Sequence, residues 1–291
     1  FLGNKKWNPK SKNTKLIELK SYFKTADKEK YWSVNEGNPF KKITPWTYDK
    51  EIEYASLDCV EDLFLYLLTK VDVSNSMRVC LPLHFFVGMG EDEIKRGKFS
   101  DIYIPQVGQP TITIHGLKTS YRRRKVKIPY NVMEMLEPFI DKIKQGSDEP
   151  FFPESPLNKK EEDTPNGRSK WNNARRKITK NPNLLIAQQW PRWPCSFARH
   201  SSASYYYAQD HISLAHVKEF LGHGKQSEEA TKKYCNLDVN PDQALSYFKI
   251  GSNAWLSNKL QDSATACRKK SEGKLITNSL NPLRPLKKTA G

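Results

Sequence analysis

The sequence is poor in several things, and each shortage excludes something. Cys59, Cys80, Cys195, Cys235 and Cys267 are five cysteines in 291 residues. They are odd in number and far apart, a spacing that builds neither a disulfide framework nor a zinc site, so reduced thiols are expected. No apolar run approaches the ~20 residues that span a bilayer, and the opening residues lack the charged, apolar, small order of an export signal. No internal repeat recurs along the chain. Acidic residues are also in deficit: 32 Asp and Glu stand against 48 Lys and Arg, a formal charge of +16. Such an excess attracts polyanions. Nucleic acid is the expected partner, ahead of a membrane surface or a small-molecule substrate, in a soluble cytoplasmic protein (nucleoid-associated, if prokaryotic). The chain opens at Phe1 rather than at a methionine and reads as a fragment or a processed form.

What is present suffices for one sizeable core and a small appended module. Leu16, Leu19, Tyr22, Phe23 and Ala26 recur at helical spacing behind Asn13 or Thr14 as N-cap. Pro39 and Pro45 then disfavour helix, so a linker is expected before a second domain. Ser56 or Asp58 can cap a helix whose apolar face holds Val60, Leu63, Phe64, Leu67 and Leu68, followed by an apolar segment from Val79 to Val87. Residues 101–105, 111–114 and 125–129 alternate apolar with polar and predict a three-stranded antiparallel sheet. A helix is expected over Asn131–Ile143, then a long polar loop from Gly146 to Gly167. Helices return after it: Tyr205–His211 closes one and Leu214–Leu221 makes another, stopped by Gly222 as a left-handed C-cap. Residues 244–260 predict a helix with Leu245, Phe248, Trp255 and Leu256 inward; residues 262–291 have the composition of a disordered basic tail. The fold class is therefore mixed, mainly α with a small three-stranded sheet.

Three pieces in order carry the chemistry: Ala198-Arg199-His200-Ser201-Ser202-Ala203, then Phe220-Leu221-Gly222-His223, then Thr231-Lys232-Lys233-Tyr234. Breaking a phosphodiester without a metal needs a nucleophile, cations for the phosphoryl oxygens and an acid for the leaving 5′-oxygen. A tyrosine can be the first, an arginine fork matches two phosphate oxygens, and histidines donate hydrogen bonds or move protons near neutral pH. The ordered set resembles the tyrosine recombinase (phage-integrase) family. The resemblance implies that family's catalytic-domain fold, a covalent 3′-phosphotyrosine at Tyr234, and assistance from Arg199, His200 and His223. It implies duplex DNA as substrate, four protomers exchanging strands through a Holliday junction, and no metal or nucleotide cofactor.

Upstream, Thr113 to Ser120 and Lys125 to Pro129 resemble the family's hairpin, whose turn carries a lysine; Lys118 is the match. Arg122, Arg123, Arg124 and Lys125 crowd the same turn, so a basic DNA-contacting loop is the alternative to a specific role for Lys118. Asn38-Pro39-Phe40 and Tyr54 to Asp58 resemble the junction between the family's helical core-binding domain and its catalytic domain. The implied division is 1–40 for the end of the first, 41–52 for a linker, 53–243 for the second, and 244–291 for a terminal helix and basic tail.

The sequence departs from the family at one consequential place. Gly88, Glu93 and Asp101 fall in register with its Gly-x-Arg-x-x-Glu box, but the arginine position is Gly90. Losing one preorganised donor typically costs ~10²–10³-fold in rate. Arg96, or a residue of the Arg122–Arg124 cluster, can supply the charge from another backbone position. Around Trp171, the stretch with Arg168, Lys170, Arg175, Arg176, Lys177 and Lys180 either tracks DNA backbone or is a solvated helix face. The tail helix around Phe248 and Trp255 docks either on a neighbouring protomer or on its own domain. Two function classes follow: a site-specific recombinase, or a DNA-binding regulatory or architectural protein of this fold with little cleavage. A type IB topoisomerase shares the nucleophile, and relaxation without exchange would mark it.

Overall fold

The computed structural model describes residues 9–28, 43, 53–116, 123–153, 167–190, 192–193, 196–224 and 228–265. The chain divides into two units, Phe1–Glu51 and Ile52–Gly291. In the first unit, helix α1 spans Pro9–Lys28. Proline's fixed φ and missing N–H suit a first helical turn, so the helix starts earlier than Asn13 or Thr14 would place it. Leu16 is buried, whereas Tyr22, expected inward, is 69% exposed. Apart from Ile43, which accepts a hydrogen bond from Lys20 Nζ at 2.9 Å, the linker lies outside the described residues.

The second unit begins with α2 (Leu57–Thr69), and the Ser56 hydroxyl accepts from the Cys59 N–H at its start. Cys59, Val60, Leu63, Phe64 and Leu67 form its buried face, as the period of 3.6 requires. Helix α3 (Asn75–Phe86) is capped by Ser74 and buries every residue from Val79 to Val87. It packs against α9 (Phe197–Tyr207), α5 (Tyr130–Met135) and α2. A one-turn helix, α4 (Glu91–Ile94), follows α3, with Gly90 as its N-cap.

The sheet runs in the order β1 (Ile102–Tyr103), β2 (Thr111–Ile114), β3 (Arg124–Lys127), antiparallel throughout. Ile112 pairs with Val126 and Ile114 with Arg124, so β3 starts one residue before the predicted strand. The alternation puts Arg124 and Val126 on the face turned toward the core and Lys125 and Lys127 on the exposed face. The helix expected over 131–143 is two: α5, a 3-10 turn at Glu137–Phe139, then α6 (Ile140–Lys144). Pro138 lies in the break, because proline has no N–H to give and clashes with the preceding turn.

Beyond residues 154–166, which are outside the described residues, come α7 (Gly167–Thr179) and α8 (Leu185–Gln189). Helix α9 ends at Tyr207 rather than reaching His211. Helix α10 (Leu214–Leu221) is capped by Ser213 and ends on Gly222 at φ 65°, the left-handed stop expected there. Helices α11 (Glu228–Lys232) and α12 (Pro241–Tyr247) follow, then α13 over residues 253–265. The helix expected over 244–260 is thus interrupted at Gly251, which takes φ 82°, and Leu245 is 58% exposed instead of inward. Trp255 docks on its own domain: its indole N–H donates to Glu61 of α2 at 3.3 Å, beside the Lys259–Glu61 ion pair.

Aromatic rings tie the core together. Tyr205 of α9 stacks on Tyr247 of α12 with centroids 4.0 Å apart, Phe86 lies 4.8 Å from Tyr247, and Phe64 lies 4.9 Å from Phe86. Both tyrosine hydroxyls find backbone carbonyls, Tyr205 at Ala55 and Tyr247 at Phe85, as buried phenols must. Cys59 and Cys235 are free thiols, and Cys80, like them, is buried. Among the described residues, no cluster of metal-ligating side chains occurs and no helix is long and apolar enough to cross a membrane.

Candidate active site

Residues from four elements meet at the C-terminal end of α10. A helix end exposes unpaired carbonyls carrying partial negative charge, so cations belong there. Two arginines take the place. Arg199, from the first turn of α9, donates from Nη2 to the Leu221 carbonyl and from Nη1 to Glu93 Oε2 at 3.0 Å. Arg124, from the start of β3, donates from Nε to the Phe220 carbonyl at 2.8 Å and from Nη1 and Nη2 to the two oxygens of Glu93 at 2.7 and 3.1 Å. Glu93 therefore lies between two guanidiniums. It also accepts the Gly90 N–H at 2.7 Å.

All three side chains are at most 9% exposed. Burial alone would raise the Glu93 pKa; the Arg124 hydrogen bonds, the Arg199 and Arg124 charges and the Gly90 N–H outweigh it and hold the carboxyl at about 2. Gly90 lets the cluster close: a Cβ there would come within 3.0 Å of Arg199 Nη1 and 3.4 Å of Glu93 Oε2. Gly88, at φ 66°, is needed for a second reason, since a Cβ would strike the Phe220 ring at 2.5 Å.

The backbone that carries the cations also carries the imidazoles. His223 follows the left-handed Gly222, and its Nδ1 shares a hydrogen bond with Thr231 Oγ1 at 3.2 Å. Thr231 is fully buried at the end of α11, and the Tyr234 N–H donates to the Thr231 carbonyl at 2.8 Å, so one turn links the two motif residues. The Tyr234 ring lies 4.5 Å from His223 and 4.9 Å, edge-on, from His200. His200 is the residue after Arg199 on α9. Thus Arg199, His200, His223, Tyr234 and Glu93 are brought into one neighbourhood.

The remaining expected residues fall elsewhere. Lys118 and Arg122 lie outside the described residues. Arg123 is exposed, and Lys125 extends over the Tyr103 ring with Nζ 5.2 Å from its centroid. Arg176 and Lys177 are exposed on α7, whereas Arg175 turns inward, ion-paired with Glu91 at 3.1 Å and 5.9 Å above the Trp193 ring. The Arg96 side chain makes no hydrogen bond to Glu93 among the described residues. Arg124, not Arg96, reaches that carboxylate.

Sequence reasoning did not anticipate His84. It is buried, with Nδ1 2.6 Å from the Met89 carbonyl, a bond that holds the turn leading into Gly90. Burial pushes its pKa down to about 4, against the opposing pull of that carbonyl. Nor was Arg124 singled out from its neighbours, because the predicted strand began at residue 125 and left it in the turn. The period-2 pairing with Val126 was the signal that could have found it.

This unit has the tyrosine recombinase catalytic-domain fold. No protein-family model matches the chain and no curated protein matches it in sequence, but solved structures do. The XerH site-specific recombinase bound to palindromic difH substrate, a post-cleavage complex, aligns at 20% identity with a TM-score of 0.56, covering 78% of this chain and 64% of that one. The XerH pre-cleavage complex with difH aligns at 21% identity with a TM-score of 0.51, covering 79% and 62%. The XerA recombinase aligns at 16% identity with a TM-score of 0.46, covering 85% and 77%. The chain spans a little under two thirds of the XerH length in either complex.

Proposed function

We propose that this protein is a site-specific DNA recombinase that cleaves and rejoins duplex DNA through Tyr234. The observation that carries the reading is the packing of the Tyr234 ring against His223 and His200, beside Arg199 and its Glu93 anchor. These are the groups that phosphoryl transfer to a phenol requires. The phenol oxygen attacks phosphorus, the P–O5′ bond breaks, and the DNA 3′ end is left joined to Tyr234. The phenol gives up its proton to a neighbouring imidazole, and the leaving 5′-oxygen takes one, from Lys118 as the family resemblance implies. Rejoining runs the same step backwards with a 5′-hydroxyl as nucleophile, so the phosphotyrosine conserves the bond. Arg199 offsets the charge that develops on the non-bridging oxygens. Exposed Arg123, Lys125, Arg176 and Lys177 with the net charge of +16 supply sequence-independent attraction to the duplex. Exchange between two duplexes calls for four protomers on paired sites.

A pool of duplexes with a randomised centre and a nick near it tests this, because a short fragment released beyond the nick diffuses away and leaves the adduct trapped. Wild type should give a protein–DNA adduct that survives denaturing electrophoresis. Tyr234→Phe, which keeps the ring on both imidazoles, should give none. Specific binding without any adduct would instead establish the second reading, a DNA-binding regulatory or architectural factor, which Gly90 at the family's arginine position favours.

A further inference from the structure

We propose that Arg124, from β3, is the second guanidinium on the phosphate that Arg199 holds, taking over from a different strand the work that position 90 cannot do. The inference rests on the function proposed above and adds a substrate-contacting residue to it.

Three observations converge. First, alternation along β3 should put an apolar residue at position 124, beside Val126 on the inner face; an arginine stands there with only 7% of its side chain exposed. Burying a guanidinium is costly unless it is well paired and hydrogen-bonded. Second, its pairing partner is not its own. Glu93 is shared with Arg199, and the two guanidiniums are fixed to successive carbonyls, Phe220 and Leu221, at the same helix end. Two forks so anchored are held side by side. A carboxylate's oxygens stand about as far apart as the non-bridging oxygens of a phosphodiester, so an arrangement that brackets one is sized to bracket the other. Third, Gly90 and Arg124 are complementary. A side chain at 90 would contest the space of Arg199 Nη1 and Glu93, whereas Arg124 reaches the same carboxylate from the opposite element, over Gly222, where a Cβ would stand 3.0 Å from its Nη1. His223 is the next residue, and its ring touches Tyr234. A phosphate near that phenol is within reach of the β3 fork.

The alternative is that Arg124 only buttresses Glu93, and a charge-deletion experiment separates the two. A duplex is recovered from the randomised pool by binding, and each phosphate near its centre is replaced in turn by a neutral methylphosphonate. Wild type should bind more weakly, by ~10-fold or more, when the gripped phosphate is neutralised. Arg124→Ala, in which Arg199 still holds that phosphate, should discriminate less between that duplex and the unmodified one while keeping its discrimination at other phosphates. In the adduct assay, Arg124→Ala should be ~10²–10³-fold slower on ordinary DNA and should recover on the methylphosphonate, whose neutral oxygen no longer needs the cation. Wild-type discrimination in Arg124→Ala, or a slowed reaction that the methylphosphonate does not rescue, overturns the proposal and leaves the recombinase reading standing. A wild type that binds but forms no adduct overturns cleavage, while the binding scan still decides Arg124. If Arg124→Ala does not fold, Arg124→Lys, which keeps the charge and loses the fork, should show the reduced discrimination; unchanged discrimination overturns the proposal.

Discussion

Glu93 and His84 are two buried titratable groups whose shifts have opposite meanings for the site and the same sign for stability. Glu93 has a carboxyl held at about 2 against an ordinary 4.5. Its contribution is present above 4.5 and is lost as pH falls from there toward 2. Glu93→Gln removes that loss, but leaves two buried guanidiniums without a counter-charge, so the variant should be less stable at neutral pH by roughly 3–5 kcal/mol. His84 is lowered from 6.5 to about 4 by burial. Between those values the unfolded chain takes up a proton that the folded chain refuses, so stability falls as pH drops through the window, by roughly 3 kcal/mol across it. Urea unfolding at a series of pH values checks both: His84→Gln should flatten the profile between 6.5 and 4 and leave the limb below 4.5 to the carboxylates.

At the scale of elements, the end of α10 organises the site, and Gly222 makes that end. Its φ of 65° costs an L-residue ~1–2 kcal/mol, and a Cβ would also press on Arg124 at 3.0 Å. Gly146 has a similar φ of 61° with nothing within 4 Å. Both alanine variants should therefore be destabilised in urea, Gly222→Ala more than Gly146→Ala, and the difference reports the crowding of Arg124; equal losses would deny it. The α10 stop was legible because glycine after an apolar period is a local signal. The break between α5 and α6 was local too, but a lone Pro138 was absorbed into the helical period. The β3 start was not legible. One residue of register decides whether Arg124 faces solvent or Glu93, and register is set by the pairing of Ile114 with Arg124.

Over the whole molecule, the core built on α2, α3, α9 and α12 sets the positions of the site elements. Phe64 is fully buried among Phe85 and Phe86. Phe64→Ala should cost about 3–5 kcal/mol, visible as a lower Tm, whereas losing an exposed apolar side chain such as Val71 should not. On the proposed function, the charge of +16 predicts steep weakening of DNA binding with salt. Its contributors are separable. Arg176→Ala, at an exposed position, should lower the slope of log K against log salt by about 1 if it touches a phosphate. Arg175→Ala should instead lower stability with little change in that slope, because Arg175 is committed to Glu91.

The sequence by itself determined the order of the chemistry-bearing pieces, the helix over Leu214–Leu221 with its left-handed stop before His223, and the basic surplus, since each is written in local periodicity, composition or a turn residue. Only the tertiary structure decided which arginine meets Glu93, that Arg175 turns inward while Arg176 stays out, and that Trp255 docks on its own α2. Those outcomes depend on strand register and on contacts between residues far apart in the chain, such as Arg124 with Phe220 and Glu61 with Trp255. No window along the sequence contains both partners.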